Sequence, residues 1–337
     1  ENSFDKNGFP KNRNFENLVS FVQYFILIKE WIKSGQEIVP NYLEEIIDKN
    51  LVCLNSLNSP LKKLPLFNGS TEKNLENFLV YLEKLNYNLK KNLKSVGQIQ
   101  IVKNKKSTLY FDSGEPPSHK LSKDYQSGPL SFEYSNDSDK IITNCGYGRK
   151  ISKKIQLLSK FTSAQSTLCI NNTSVVNFKK NNLINKAYGS TISNSFKISD
   201  FDRTEDKANV TISATHNAYL DKFGYLHKRT IKFFKKNNQI EGNDHLIKRN
   251  GSSSVGFSIR FHLYPGINTV KTISGKSILL QVNKNKAWIF SSENQKINIE
   301  KSLFLGRNKA LNNQCIVIYG DTKDENVNIK WELKKAS

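Results

Sequence analysis

The most constraining feature of the sequence is its hydrophobic periodicity, which changes once, close to Gln98. Before this point apolar residues recur about every 3.6 positions, the spacing that places them on one face of an α-helix. After it, short runs rich in β-branched and aromatic residues alternate with polar turns. A long series of strands with no helices between them predicts an antiparallel β-sandwich rather than a parallel α/β sheet.

The helical part contains three amphipathic segments with an apolar stripe at helical spacing. The first spans Asn17 to Lys33 and is followed by Gly35, a typical C-cap residue. The second follows Pro40, and the third follows Ser70 and Thr71. Short connections between amphipathic helices predict helical hairpins that stack on one another. Because three helices alone form a small unit, we expect further helices upstream of them.

The β-rich part contains a dozen runs that we predict to be strands. They are Gln98–Val102, Thr108–Phe111, Leu130–Tyr134, Ile141–Asn144, Thr167–Ile170, Val210–Ala214, Arg229–Phe234, Phe257–Leu263, Ser277–Val282, Ala287–Phe290, Gln314–Tyr319 and Val327–Leu333. The polar segment Ser135–Asp139 is typical of a hairpin turn between two of them. The predicted fold class is therefore α+β and multidomain, with residues 1–95 helical and residues 96–337 forming a large antiparallel β-sandwich.

The chain carries a formal net charge of +21, which favours a polyanionic partner such as nucleic acid, an anionic membrane or an acidic polysaccharide. Only 7 of the 51 basic residues are arginine, and asparagine and isoleucine are also abundant, a composition typical of AT-rich coding sequence. Coding bias therefore explains the charge as well as a polyanionic ligand does. Because bidentate arginine contacts dominate base recognition in DNA, we predict no nucleic-acid partner.

Several function classes lack their motifs in this sequence. It contains no Walker A loop, GxGxxG, GxSxG or HExxH, which disfavours nucleotide hydrolysis, dinucleotide chemistry, serine hydrolysis and zincin proteolysis. The four cysteines form no CxxC pair, which predicts buried thiols rather than a zinc ribbon or a disulfide framework. The apolar run Phe21–Ile28 is too short to span a membrane, and the first residues contain no signal-peptide pattern.

A set of short motifs follows in order along the chain. Those of the β-rich part are Phe111–Pro117, Gly128–Glu133, Ile142–Gly146, Thr162–Leu168, Ala214–Tyr219, Phe223–Arg229, Glu241–Asp244 and Ile259–Pro265. Those of the helical part are Asn7–Asn14 and Leu66–Gly69. In this order and spacing they resemble the heparinase II/III family, especially its alphaproteobacterial branch, and the resemblance covers nearly the whole chain.

The resemblance implies that the helices are the C-terminal helices of an (α/α) toroid and that a β-sandwich follows them. It implies cleavage of uronate-containing, often sulfated, polysaccharides by β-elimination. In that reaction a base removes the proton α to the uronate carboxylate, an acid protonates the leaving oxygen, and a polar group neutralises the carboxylate. The implied partner is an acidic polysaccharide, and the implied compartment is the periplasm or cell envelope. The resemblance carries no expectation about oligomeric state.

Some family members hold a zinc ion in the sandwich, and three ligand-like positions of that region carry amides here. Where the family often has His-x-His this chain has Asp124-Tyr125-Gln126, and Asn144 and Gln165 replace an acidic residue and a histidine. Neutral amide oxygens are poor zinc ligands, so we predict no metal and no other cofactor. We expect the amides to hydrogen-bond one another and the backbone.

The hairpin between two predicted strands brings these positions together. If Tyr134 pairs with Lys140, Leu130 lies opposite Asn144 and Gln126 emerges at the same end of the sheet. The candidate site residues are Tyr125, Gln126 and Gln165 for catalysis and Arg13, Asn14 and Asn144 for substrate binding.

Each of these candidates also has a structural interpretation. Tyr125 is a candidate base or acid only because of its position in the motif. The alternative is that it is a structural aromatic residue. Arg13 and Asn14 lie at the entrance of the first helix, where they fit either anion recognition or a capping contact.

The charged residues inside the predicted strands have simpler interpretations. We expect Arg229 and Arg260 to pair with Glu133 or Asp244, since buried charges need partners. His216 and His227 lie in strand-like sequence, where a structural or surface role is expected.

Two functional hypotheses follow. The first is a lyase that acts on uronate-containing acidic glycans, with active residues partly in upstream helices. The second is a catalytically altered, non-enzymatic relative that binds glycan or is associated with the envelope. The replaced imidazoles favour the second, and the family resemblance favours the first as an overall assignment.

Overall fold

A computed structural model describes residues 3–87, 89, 91–179, 189–251, 254–293, 295–307 and 309–336. A few helices come first, and two antiparallel β-sheets packed face to face follow. The helices-then-sandwich fold predicted from the periodicity is therefore confirmed. Within these ranges no helix is long and apolar enough to cross a bilayer.

The helices lie where the apolar stripes predict them. They are α1 (Phe15–Ser34), α2 (Asn41–Leu57) and α3 (Glu76–Lys84), with the short α4 (Lys153–Leu158) and α5 (Leu220–Phe223) further along the chain. The Asn14 side chain caps α1 by accepting a hydrogen bond from the Asn17 amide, and the Gly35 amide donates to the carbonyls of the last turn.

Seventeen strands follow the first three helices in the described residues. They are β1 (Ser95–Val96), β2 (Ile99–Lys103), β3 (Ser107–Asp112), β4 (Phe132–Asn136), β5 (Asp139–Thr143), β6 (Leu168–Ile170), β7 (Ile198–Glu205), β8 (Asn209–His216), β9 (Tyr225–Phe234), β10 (Gln239–Lys248), β11 (Gly256–Leu263), β12 (Asn268–Lys271), β13 (Ser277–Asn283), β14 (Lys286–Ser292), β15 (Ile297–Phe304), β16 (Leu311–Asp321) and β17 (Val327–Lys335). Each of the dozen predicted runs overlaps one of them.

The strands form two sheets. The first has the order β1-β2-β3-β4-β5-β11-β16-β15, with β6 paired to β11. The second has the order β12-β13-β14-β17-β10-β9-β8-β7. Every pair is antiparallel, as expected for a sandwich built without crossover helices.

The sequence analysis missed five strands, of which β10 matters most. Its inward-facing positions include Gly242 and Asp244 instead of apolar residues, so it lacks the alternation that marks a half-buried strand. The predicted register of the β4–β5 hairpin is wrong: Tyr134 pairs with Ile142, and an irregularity follows before Ser135 pairs with Lys140. A bulge adds a residue on one strand, which no spacing argument anticipates.

Two apolar cores hold the fold together. Between the sheets, the rings of Phe261, Phe290 and Trp331 pack with centroids 4.6 to 5.9 Å apart. The second core joins α1–α3 to β1–β3, and the buried hydroxyl of Tyr110 donates to the Leu57 carbonyl at 3.0 Å across that contact. The helices are therefore held against one end of the first sheet.

A charged cluster is buried inside the sandwich. The carboxylate of Asp244 accepts hydrogen bonds from Arg229 Nε (2.7 Å) and Nη2 (3.0 Å), from His227 Nε2 (2.7 Å) and from Trp331 Nε1 (2.8 Å). His216 continues the chain with Nε2 at 3.1 Å from His227 Nδ1. The expected pairing of Arg229 with Asp244 is confirmed, and both histidines are buried in the structure rather than at the surface.

The other expected ion pairs differ from the structure. Glu133 pairs with Lys140 on the adjacent strand β5, and Arg260 on β11 reaches across β16 to Glu300 on β15. All four cysteines are buried and free, as predicted.

Candidate functional site

The six predicted site residues lie at the junction where the start of α1 and the loop 66–70 meet the end of the sandwich. All six are buried, with exposed fractions of 0 to 4%. The structure thus brings together residues that are up to about 150 positions apart in the sequence. Their hydrogen bonds decide what each side chain does there.

Arg13 is committed to the fold. Its Nη2 lies 2.5 Å from Asp112 Oδ1, its Nε donates to the Gly97 carbonyl at 2.9 Å, and its Nη1 donates to the Glu115 carbonyl at 3.0 Å. A Cβ at Gly114 would lie 2.3 Å from Arg13 Nη2, so a larger residue there would displace the guanidinium. Burial raises the pKa of Asp112 although the guanidinium beside it acts in the opposite direction. Because Arg13 is only 4% exposed and is paired with Asp112, an external anion does not reach it.

Asn14 and Tyr125 have contrasting environments. Asn14 Oδ1 accepts from the Asn17 amide at 3.1 Å, which is the capping alternative considered for this residue. Tyr125 is completely buried, and its hydroxyl makes no hydrogen bond within the described part of the chain. Burial raises the pKa of Tyr125 well above its usual range, so the phenol stays protonated at neutral pH.

The two glutamines bind backbone groups rather than each other. Gln126 Oε1 accepts from the Gly69 amide at 3.0 Å, and its Nε2 donates to the carbonyls of Gly146 (3.0 Å) and Ser159 (2.8 Å). Gln165 Nε2 donates to the same Ser159 carbonyl at 2.9 Å. Of the two expected kinds of contact, the hydrogen bonds to the backbone are confirmed, whereas these amides make no hydrogen bond to one another among the described residues.

Asn144 has the same kind of role. Its Nδ2 donates to the Leu66 carbonyl at 3.2 Å, and its Oδ1 accepts from the Ser166 amide at 2.9 Å. With Gln126, it joins the loop 66–70 to the sandwich. The oxygens of Gln126 and Asn144 already accept backbone N–H groups, and neutral amide oxygens are poor zinc ligands, so these positions do not fit that metal. Among the described residues, no three His, Cys, Asp or Glu side chains form a group able to hold a metal ion.

These contacts give five of the six residues a structural role, and a catalytic role for Tyr125, Gln126 and Gln165 stays a prediction. The sequence analysis missed Asp124, which is partly exposed beside them. Its Oδ1 accepts from the Tyr147 hydroxyl at 2.9 Å, and that hydroxyl accepts from Gln156 Nε2 at 2.6 Å. The signal was present, since Asp124 occupies the first position of the His-x-His pattern.

The contact between Asp124 and Tyr147 also brings two cationic segments together. The segment 118–124 carries Lys120 and Lys123, and the segment 149–154 carries Arg149, Lys150, Lys153 and Lys154. Five of the six are exposed, and Lys123 is half-buried. None of them forms an ion pair with an acidic side chain of the described residues. We call these six residues the basic patch.

Replacement of Gln126 by alanine should destabilise the junction. The Gln126→Ala variant leaves the Gly69 amide and a backbone carbonyl without their partner, so we expect a loss of about 2–3 kcal/mol in the free energy of unfolding, measured by urea denaturation. Gln156→Ala is the matched control, because the side chain of this half-buried glutamine donates one hydrogen bond among the described residues, to Tyr147. An equal loss in both variants would show that the network around Gln126 does not hold the junction.

Solved structures share this arrangement of helices and sandwich. The heparan sulfate lyase HepC of Pedobacter heparinus matches with a TM-score of 0.79 at 13% identity, over 100% of this chain and 54% of that chain. A heparinase III matches with a TM-score of 0.75 at 13% identity, over 99% of this chain and 55% of that chain. At such identities the likeness shows the fold.

A curated relative was found by sequence. FtsZ-localized protein C of Caulobacter vibrioides (strain NA1000 / CB15N) is 24% identical over 238 residues, which are 67% of this chain and 40% of that protein. The chain therefore spans about half the length of the two lyase structures and less than half of this relative.

The family described as Heparinase II/III-like, C-terminal, matches residues 89–332, which is well over half of the chain. The match begins just before β1 and ends within β17, so it covers both sheets. Together with the ordered motifs and the shared fold, this match shows that the chain belongs to the heparinase II/III-like family.

Proposed function

We propose that this chain is part of a polysaccharide lyase-like protein that acts on uronate-containing acidic glycans by β-elimination. The chain's contribution is to bind the polyanion at the basic patch. Base and acid are supplied by an (α/α) toroid in the full-length protein, of which α1–α3 are the last helices.

The basic patch is the observation that carries this proposal. Six cations that form no ion pair with any described acidic side chain lie next to the junction between helices and sandwich, whereas Lys29, Lys140 and Lys286, for example, pair with carboxylates. A cluster of one sign raises the local concentration of a polyanion and strengthens its binding. A uronate chain, with a carboxylate on alternate sugars, matches such a surface better than a neutral glycan does.

The burial of the candidate residues supports the assignment of proton transfer to other helices. A catalytic base must come within hydrogen-bond reach of the proton that it removes. Tyr125, Gln126 and Gln165 are 0 to 2% exposed, so a polymer touches none of them without rearrangement of the junction. We infer that they are positioning residues, which hold the loop 66–70 and the segment 118–124 in place.

Exposed apolar side chains on the helices support the toroid. Tyr24 and Trp31 on α1 are 62% and 64% exposed, and Tyr42 on α2 is 75% exposed. Large apolar groups gathered on one helical face are typical of a contact surface. Neighbouring helices of a toroid are the occupants that fit the proposed architecture.

The test is an absorbance assay on the full-length protein. The unsaturated uronate product of β-elimination absorbs at about 232 nm. We expect this absorbance to rise with at least one member of a panel of uronate polysaccharides, and the rise should be the same with or without a chelator. Replacement of three patch lysines (K150Q/K153Q/K154Q) is expected to raise KM by about tenfold at low salt, with kcat little changed, since uniform binding is lost. The difference should shrink at high salt, which screens exposed charges.

The matched control removes three exposed lysines from other surfaces (K207Q/K276Q/K284Q), so the net charge changes equally. Equal KM values in the two triple variants would overturn the assignment of the patch. Tyr125→Phe tests the positioning role, because it removes a hydroxyl that has no partner among the described residues. A large fall in kcat with unchanged unfolding would instead make Tyr125 a catalytic residue.

The second candidate function is a catalytically altered protein that binds glycan or is associated with the envelope. The amides at three ligand-like positions favour it, and so does the similarity to a protein named for its localisation with FtsZ. A flat absorbance trace over the whole panel, with glycan binding retained, would select this candidate over the lyase. Absence of any binding would contradict both.

A further inference from the structure

The most exposed large apolar side chain of the described residues lies at the tip of the hairpin between β12 and β13. Ile273 is fully exposed there, and Val270 on β12 is 61% exposed. A single apolar residue at the surface is common in proteins and needs no explanation by itself. The rigidity of the tip and the charges around it therefore decide whether it marks a contact surface.

The turn that carries Ile273 is closed by hydrogen bonds. The Thr272 amide donates to the Ser277 carbonyl at 3.0 Å, and the Gly275 amide donates to the Thr272 carbonyl at 2.9 Å. A further bond holds the tip against the start of β15, where the Ile297 amide donates to the Gly275 carbonyl at 3.0 Å. A braced turn thus presents the isoleucine to the surroundings of the protein.

Three exposed lysines surround this side chain. Lys271 and Lys276 lie on either side of it in the hairpin, and Lys296 lies in the adjacent loop, just before β15. None of the three forms an ion pair with an acidic side chain of the described residues. The one acidic residue of that loop, Glu293, lies 3.7 Å from Lys330. The tip therefore combines exposed apolar groups with positive charge that no neighbouring carboxylate offsets.

Protection of the sheet edges explains only part of this arrangement. β12 and β15 are edge strands of the two sheets, and Lys271 Nζ lies 3.5 Å from Asn298 Oδ1 between them. A lysine on an edge strand prevents pairing with another chain, which accounts for Lys271. That role gives no reason for a fully exposed isoleucine two residues further on. A soluble polyanion would likewise use the lysines and leave the apolar groups in water.

We propose that the tip of the β12–β13 hairpin is a peripheral membrane-binding site for an anionic lipid surface. Ile273 enters the boundary between head groups and acyl chains, with Val270 at its margin, and the three lysines contact the anionic head groups. Apolar insertion and electrostatic attraction both contribute to such binding. Because each contribution is small, the binding is reversible and requires both.

The strand β15 separates this site from the basic patch. Its first residue, Ile297, contacts the tip, and Ser302 lines a groove beside α4 together with Leu158. Five residues of a β-strand span about 17 Å, which is about twice the Debye length at physiological salt. The lysines of the two sites therefore act independently, and the membrane site does not rest on the proposed function.

The experiment is co-sedimentation of the full-length protein with vesicles at about 0.1 M salt. One set of vesicles contains phosphatidylglycerol and phosphatidylcholine in equal amounts, and the other contains phosphatidylcholine alone. We expect binding to the anionic vesicles only. Ile273→Ser should weaken it about tenfold, because the inserted side chain is lost. The double variant K271Q/K296Q should weaken it about thirtyfold, because each lysine near an anionic surface contributes about fivefold.

Two matched controls should bind the vesicles as the parent does. Phe201→Ser removes an exposed apolar residue, 47% exposed, from β7 at the opposite edge of the same sheet. K153Q/K154Q removes from the basic patch the same charge that K271Q/K296Q removes from the tip. The unfolding midpoint of each variant is measured alongside and verifies that the fold is retained.

Three outcomes would overturn the proposal. The first is that the parent does not bind the anionic vesicles. The second is equal binding by Ile273→Ser and the parent, which would show adsorption through charge alone. The third is equal binding by K271Q/K296Q and K153Q/K154Q, which would show attraction through the net charge of the chain. Failure of polyanion binding at the basic patch would leave the vesicle result unaffected.

Discussion

The Asp244→Asn variant is expected to lose about 3–5 kcal/mol of its free energy of unfolding, because it leaves a buried guanidinium without its counterion. Arg229 and Asp244 are both completely buried between the sheets, where no water reaches them. Asparagine keeps the size of the side chain but removes the charge, so Arg229 and its remaining carbonyl contacts stay in a low-dielectric interior with an unpaired charge. Urea denaturation monitored by tryptophan fluorescence gives the value.

The destabilisation should arise because one charge of the Arg229–Asp244 pair is removed and the other is left buried, and not because the ion pair as a whole is lost. We expect the double variant R229M/D244L to be less destabilised than Asp244→Asn, since two apolar groups leave no unpaired charge. Glu325→Gln is the surface control and should change stability by less than about 0.5 kcal/mol. A double variant less stable than Asp244→Asn would show that shape rather than charge pairing dominates this cluster.

The second large effect is a loss of stability in mild acid. Burial lowers the pKa of His262 from 6.5 to about 4, and burial also lowers the pKa of His216 and His227. The folded protein keeps these rings neutral, whereas the unfolded chain binds protons below pH 6.5. Their contribution is therefore fully present above about pH 6.5 and is lost as the pH falls towards 4. For His262 alone the shift corresponds to about 3 kcal/mol.

Comparison of variants isolates this contribution. Between pH 7 and pH 4, His262→Gln should lose about 3 kcal/mol less stability than the parent, since it has no ring to protonate in the unfolded state. The His262 ring is held by the Ser163 carbonyl, 3.0 Å from Nε2, and by the Ser302 hydroxyl, 3.0 Å from Nδ1. His119→Gln, at an exposed position, is the control and should follow the parent. If the free energy of unfolding fell with pH in the same way for all three proteins, the predicted contribution of His262 protonation would be contradicted.

The candidate site was only partly predictable. The family pattern named residues that do meet at one junction, because an ordered set of motifs reflects a shared fold. It did not show that Arg13 faces Asp112 or that Gln126 binds three backbone groups. Such contacts depend on distances between segments about a hundred residues apart, which local spacing does not encode. The Asp124–Tyr147 pair was missed for the same reason.

By itself the sequence determined which segments are helices and strands, because the period of burial along a helix or a strand is a local property. It also determined the family, through motifs that follow in order, and the exclusion of several motif-dependent chemistries. Only the tertiary structure decided which buried charges pair, since Arg229 meets Asp244 while Arg260 meets Glu300. It also decided which of the many lysines form a patch and which apolar side chain a hairpin tip exposes. The physical reason is that strand order and long-range contacts set both burial and charge neighbours, and neither follows from distance along the chain.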